Sequence, residues 1–346
     1  MIWLLNKRYE DTVLKVIEQV KDIERLRKKS ILITGASGLI GSYIVDMLIE
    51  LNKKYDMNIK VYAAGRDMDR LRSRFALVEN LKFLIYDVNE KISFDYKFDY
   101  IIYAASNAYP AAFMDDPVGT IIGNINGTFN HLNYAKKCNC GKFIYISTGE
   151  VYGNFDNDIL SFKEENSGYI NPIKVRSCYP VSKRAAENLC VSYGEQYDIN
   201  TVIVRPSHTY GPNVTKGDNR ANVQFVNSAI KGSDIVMKSA GRQLRSYTYI
   251  PDCASAILTV LLCGKKGEVY NISNENSIVT IAEFAQKVAN ICGKKVTFEM
   301  ADEKDKKEQS PIERQVLNNE RLLELGWKGI FDIDCGIRNM ITILKE

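Results

Sequence analysis

The sequence predicts an α/β fold, a doubly wound parallel sheet with a smaller C-terminal α/β lobe, and three observations predict it. Short β-branched runs alternate with helical patterns up to about residue 205. Strands that alternate with helices pair in parallel through right-handed crossovers, and helices cover both faces of the sheet. The first run ends in a glycine-rich turn that opens a helix. From about Gly211 the rhythm changes to longer polar loops, with no hydrophilic linker between the two regions.

The first element is a helix. Residues Tyr9 to Lys29 carry Val13, Ile17, Val20 and Ile23 at spacings of three or four amid charges, the signature of an amphipathic helix. Residues 1–29 therefore read as a helical extension packed on the body or on a neighbouring subunit. The strands follow at Ile31 to Thr34, Ile59 to Ala64, Leu81 to Tyr86, Tyr100 to Ala104, Lys142 to Ser147 and Thr201 to Arg205. Residues 30–210 form the sheet domain in this reading. Residues 211–346, with a helix near Asn222 to Lys231 and the charged stretch Asp302 to Glu308, form mainly the lobe.

Composition narrows the class. With 346 residues, 45% hydrophobic and 25% charged, the chain has ordinary globular composition. The formal charge of +4 is small and its Lys and Arg are interleaved with Asp and Glu, so neither nucleic acid nor an anionic membrane is indicated. Eight cysteines form no CxxC pair and only two His accompany them, which argues against a metal site and for reduced thiols. Met1 to Leu5 is apolar but stops at Asn6-Lys7-Arg8, far short of a signal core or of a span of about 20 residues. A cytoplasmic protein is expected.

The glycine-rich turn carries the first chemistry. In Thr34-Gly35-Ala36-Ser37-Gly38-Leu39-Ile40-Gly41, Gly35 permits a tight turn, Gly38 lets backbone N–H groups approach a pyrophosphate, and Gly41 allows close packing of helix on strand. This is a Rossmann-type dinucleotide site, with the phosphates on the helix N-terminus beside Ser37, Leu39 and Ile40. The second strand ends Ala64-Gly65-Arg66-Asp67. An acid expected at the ribose of NAD is replaced by Gly65, and Arg66 can pair with the 2′-phosphate of NADP. The alternative is a solvent-facing Arg66 with Asp67 on the ribose, so NAD or NADP remain open.

Tyr179 and Lys183 stand four residues apart, on one face of a helix. An ammonium there can lower the phenol's pKa, and the phenol can exchange a proton with a sugar hydroxyl as hydride moves. A strand end, Ser147-Thr148-Gly149-Glu150, supplies a hydroxyl for the reacting oxygen. With these residues the sequence resembles the extended short-chain dehydrogenase/reductases, the NAD-dependent epimerases and dehydratases of sugar nucleotides. The resemblance runs from Ile31 to the C-terminus and implies a Thr148, Tyr179, Lys183 triad. It also implies adenine contacts at Asp87 and Val88, and a cofactor wall of Ala104, Ala105, Ser106 and Asn124. His208 stands where the family has an Asn at the sugar diphosphate, and Arg245 and Arg220 match diphosphate-binding arginines. A homodimer paired through two helices is also implied.

The pair after the triad hydroxyl separates the reactions. Dehydratases of the family resemble Thr-Asp-Glu and decarboxylases Thr-Ser-Glu, whereas this chain has Thr148-Gly149-Glu150. A 4-keto sugar acidifies the C5 proton and turns a C5 carboxylate into a β-keto acid. Eliminating the C6 hydroxyl needs a proton donor that Gly149 cannot be; losing carbon dioxide does not. The stretch Asn171-Pro172-Ile173 with Arg176-Ser177-Cys178-Tyr179 also resembles UDP-glucuronate decarboxylases. The expectation is therefore transient C4 oxidation of a nucleotide sugar, in a UDP-glucuronate-type decarboxylase with Glu150 near C5. The alternatives are a 4,6-dehydratase, a 4-epimerase, an NADPH-dependent 4-keto reductase and, from another class, a non-catalytic cofactor-sensing protein.

Overall fold

The computed structural model describes residues 2–75, 78, 80–155, 159–301 and 312–346; the Asp302 to Glu308 stretch lies outside them. The chain opens with α1 (Lys7–Ile17), capped by Asn6, whose side chain accepts from the Tyr9 N–H at 2.9 Å. The helix expected to reach Lys29 ends at Ile17. Asp22 turns the chain with a left-handed φ of 56°, and a 3₁₀ turn, Ile23–Leu26, follows. Val20 and Leu26 are buried all the same. The apolar spacing reported burial correctly, while the turn into the sheet ended the helix.

The extension packs on its own body. The Tyr9 hydroxyl donates to Asp46 Oδ2 at 2.7 Å, and Arg74 pairs with both oxygens of the same carboxylate. All three are buried, and burial raises the Asp46 pKa against the pull of Arg74. At the chain's other end Asn339 Nδ2 donates to Thr12 Oγ1 at 3.2 Å, and Arg8 pairs with Glu346.

Alternation then sets in as expected: β1 (Ser30–Thr34), α2 (Leu39–Tyr55), β2 (Lys60–Gly65), α3 (Met68–Arg74), β3 (Leu81–Ile85), β4 (Tyr100–Tyr103), α4 (Pro110–Asp115), α5 (Pro117–Lys137), β5 (Lys142–Ile146), α6 (Cys178–Tyr197) and β6 (Thr201–Pro206). The strand residues are largely apolar, and β5 is buried at every position, as a strand covered on both faces must be. Beyond them come β7 (His208–Tyr210), α7 (Ala221–Ile230), β8 (Ile235–Met237), β9 (Leu244–Tyr249), α8 (Ile250–Cys263), β10 (Val269–Ile272), β11 (Ile278–Thr280), α9 (Ile281–Cys292), β12 (Val296–Phe298), β13 (Arg314–Gln315), α10 (Glu320–Glu324) and α11 (Ile333–Lys345).

The main sheet has seven strands in the order β10-β6-β5-β4-β1-β2-β3, every pair parallel. The chain does not leave this sheet for good at residue 210. Strand β10 returns to its edge beside β6, and α8 packs on α2. Conversely, Phe162 bridges to Leu317, so a loop from the first half joins the lobe. The lobe's own sheet joins β11, β9 and β13, with β7 pairing β9. Strand order reverses between β1 and β4, and in such sheets the crevice beyond the strand ends at the reversal is the place for a ligand.

Candidate active site

A cleft of about 840 Å³ opens at that reversal and runs from the glycine-rich turn to the lobe. At one end, Gly35 has φ +61°, and a methyl group on it would come within 2.7 Å of the Ala104 carbonyl oxygen. On Gly41 a methyl would meet the Gly35 carbonyl oxygen at 2.5 Å. Only glycine fits at either point. No side chain caps the α2 N-terminus at Gly38, which leaves the first-turn N–H groups of Leu39, Ile40 and Gly41 facing the cleft that Ser37 also lines. A pyrophosphate fits this cradle. The Ala104 and Ala105 N–H groups, by contrast, both go to Thr34 Oγ1, at 3.0 and 3.1 Å. That segment offers a cofactor its surface, not its amides.

At the adenosine end Asp67 is spent as the cap of α3, its Oδ1 accepting from the Arg70 N–H at 3.0 Å. Arg66 is exposed, with Nη1 3.9 Å from Asp87 Oδ2, and Asp87 Oδ1 accepts from the Asn89 N–H. Both line the cleft with Val88 and Arg70. Asn124 lines it too, but its amide is committed. Oδ1 accepts from Ser106 Oγ at 2.8 Å and Nδ2 donates to Ser182 Oγ at 2.9 Å. Since Ser182 lies on the helix that carries Tyr179 and Lys183, Asn124 braces that helix from the cleft wall.

Further along, the structure brings Thr148, Tyr179 and Lys183 together. The Thr148 hydroxyl lies close enough to Tyr179 to lower its pKa. Lys183 Nζ donates to the Ile146 carbonyl at 2.8 Å and lies 5.9 Å from the Tyr179 ring centre. Burial drives the Lys183 pKa down to about 7, with Glu187 pulling the other way. Burial, and then the charge of Glu150, hold the Tyr179 pKa above that of a free phenol; the Thr148 hydroxyl, Arg220 and Arg176 oppose them. Two arginines thus do here what the spacing assigned to Lys183. The Tyr179 ring stacks on Phe113 at 5.1 Å and 9°.

Glu150 lies one turn of chain from Thr148, whose hydroxyl accepts from the Glu150 N–H. Its carboxylate is gripped by Arg176, Nη1 to Oε2 at 2.9 Å and Nη2 to Oε1 at 3.1 Å, and the Arg176 guanidinium rests on Phe113 at 4.6 Å. The sequence flagged Arg176 only as part of a motif and Phe113 not at all. A cation three residues before Tyr179, in the 3₁₀ turn Val175–Ser177 that leads into α6, was the available signal.

The lobe supplies the far wall. Arg245, 2% exposed, donates to the carbonyls of Leu244 and Glu313 at 3.0 Å and to that of Ile312, and burial lowers its pKa. Arg220 differs from expectation: its fork is taken by Asp218, with Nη2 to Oδ2 at 2.6 Å, and its Nη1 goes to the Thr209 carbonyl. His208 lies over Tyr247 in the cleft, and burial first, then Arg245 and Arg220, keep it neutral well below its ordinary pKa.

Known proteins share the sequence pattern and the fold of this chain. The model of the NAD dependent epimerase/dehydratase family fits residues 31–273. UDP-glucuronic acid decarboxylase 5 of Arabidopsis thaliana is 33% identical over 277 residues, 79% of this chain and 77% of that protein. UDP-glucuronic acid decarboxylase 1 of Xenopus tropicalis is 28% identical over 99% of this chain and 82% of its own length. Among solved structures, a dTDP-glucose 4,6-dehydratase from Bacillus anthracis in complex with NAD superposes with a TM-score of 0.74 at 21% identity, covering 91% of this chain and 96% of that one.

Proposed function

Since the chain belongs to the NAD-dependent epimerase/dehydratase family, we propose that it decarboxylates a UDP-glucuronate-type nucleotide sugar through transient oxidation at C4. One observation carries the reading: beside the triad stands the carboxylate of Glu150, clamped by Arg176, while Gly149 puts no acid next to it. A dinucleotide held on the turn of Gly35, Gly38 and Gly41 would supply the hydride acceptor for sugar C4 and the donor for its re-reduction. Tyr179 accepts the C4-hydroxyl proton and Thr148 holds the reacting oxygen in line. Lys183, poised near neutrality, takes up the proton that the phenol gives off, which leaves Tyr179 the phenolate that accepts the C4-hydroxyl proton. Glu150, fixed in its arginine fork, sets the sugar's C5 side. With no acid at 149 to protonate a departing C6 hydroxyl, loss of carbon dioxide is the exit left to the 4-keto sugar.

NAD is the family's cofactor. No carboxylate ends β2, and Arg66 and Arg70 line the cleft there, so the site admits NADP as well. That observation favours the second reading, an NADPH-dependent 4-keto reductase. Exposed Val118, Ile122 and Phe129 on α5, and Val181 and Val191 on α6, support a homodimer paired through these two helices. No helix of the described residues is long and apolar enough to cross a membrane, and all eight thiols are free, which supports a cytosolic placement. Incubation with UDP-glucuronate and NAD tests the assignment. Carbon dioxide and a UDP-pentose or its 4-keto form are expected, whereas an unchanged sugar sinks it.

A further inference from the structure

Gln315 on β13 is 3% exposed, lines the cleft from the lobe side, and is the register partner of Arg245 across the parallel pair with β9. The two side chains therefore leave the same face of the small sheet. A methyl group placed on Gly149 would sit 3.2 Å from Gln315 Nε2 and 3.3 Å from Leu317 Cδ1. The space that a side chain at 149 would take, beside the triad hydroxyl, is thus filled from across the cleft by a carboxamide. Among the described residues that amide has no hydrogen-bond partner. That carboxamide lines the cleft, where a bound group can meet it. The guanidinium groups of Arg176, Arg220 and Arg245 outnumber Glu150 and Asp218 at this end, which favours an anionic group there.

We propose that Gln315 is a specificity-determining residue whose amide N–H donates to the substituent on sugar C5, a carboxylate in a uronic acid. The proposal rests on the nucleotide-sugar reading above. An amide can hold that carboxylate and cannot give up a proton to a leaving hydroxyl. It therefore recognises the group that decarboxylation removes and offers elimination no acid.

Equilibrium binding of UDP-glucuronate, UDP-xylose and UDP to the NAD-loaded enzyme, to Gln315→Ala and to the isosteric Gln315→Glu tests this. UDP-xylose has the same pyranose with no C5 substituent, and UDP binding reports whether a variant is folded. Gln315→Ala is expected to weaken UDP-glucuronate by about tenfold and Gln315→Glu by more, through like-charge repulsion, with UDP-xylose and UDP unchanged. Equal weakening of all three ligands, or undiminished UDP-glucuronate binding, overturns the proposal. A wild-type enzyme that binds UDP-glucuronate but releases no carbon dioxide defeats the decarboxylase reading alone, and the variants still decide the role of Gln315. Wild-type enzyme that does not bind it overturns both.

Discussion

Arg176 meets Glu150 fork to fork, each guanidinium nitrogen opposite one carboxylate oxygen, on a pair whose side chains are 12% and 20% exposed. Removing one partner leaves a half-buried charge unanswered beside the triad. Arg176→Met is expected to lower kcat/KM for the nucleotide sugar by about a hundredfold, and Arg176→Lys to recover little, because an ammonium cannot make two parallel bonds. The NAD dissociation constant should not change. Adding Glu150→Gln to Arg176→Met should cost much less than the sum of the two single losses; full additivity would mean that the pair does not act as a unit.

Lys183 gives the folded protein an unusual pH dependence. Its folded pKa of about 7 lies below the ordinary 10.5, so between these values the unfolded chain holds a proton that the folded one lacks. Stability contributed by this residue therefore rises from pH 7 to about 10. Melting temperatures of wild type and Lys183→Met across that range should show the wild type gaining on the variant, which itself should be inactive. A constant difference would mean that Lys183 is not held near neutrality.

His131 acts in the same sense at acid pH. It is buried between the Gly127 carbonyl and the Tyr86 hydroxyl, and burial lowers its pKa from 6.5 to about 4. Its contribution is full above about 6.5 and is lost as pH falls toward 4. His131→Gln should flatten the acid limb of a urea-denaturation profile over that interval.

Arg66 should set cofactor choice. Arg66→Glu is expected to weaken NADP by about tenfold or more through lost pairing and added repulsion, with little effect on NAD. Titration of both cofactors by tryptophan or nicotinamide fluorescence would read this, and equal effects on the two would place Arg66 in solvent only.

Asp46→Ala should be costly far from the cleft, since it strips Arg74 and Tyr9 of their shared acceptor. Breaking such a buried pair costs about 3–5 kcal/mol, readable as a lower chemical-denaturation midpoint with turnover at 25 °C retained.

Much of this was legible because the signals were local. Six strands and the α7 helix followed from short-range periodicity, and the glycines of the first turn from steric need within a few residues. What escaped depended on contacts distant in sequence. Nothing near Asn124 announces Ser182, and nothing near Gly149 announces Gln315, more than 160 positions away. Arg220 was read by its motif, yet Asp218 two residues before it takes its fork. The N-terminal helix shows the limit of periodicity: apolar spacing tells which residues are buried, and does not tell where the backbone must turn.

The return of β10 to the edge of the main sheet has a practical corollary. The polypeptide crosses between sheet and lobe at 206–208, again at 249–250, and again at 272–278. A chimaera that exchanges the lobe for that of a relative therefore cannot be made at one junction; each crossing would need its own splice. Changes of substrate in such an architecture are more readily reached by replacing single side chains on the cleft wall than by recombining modules.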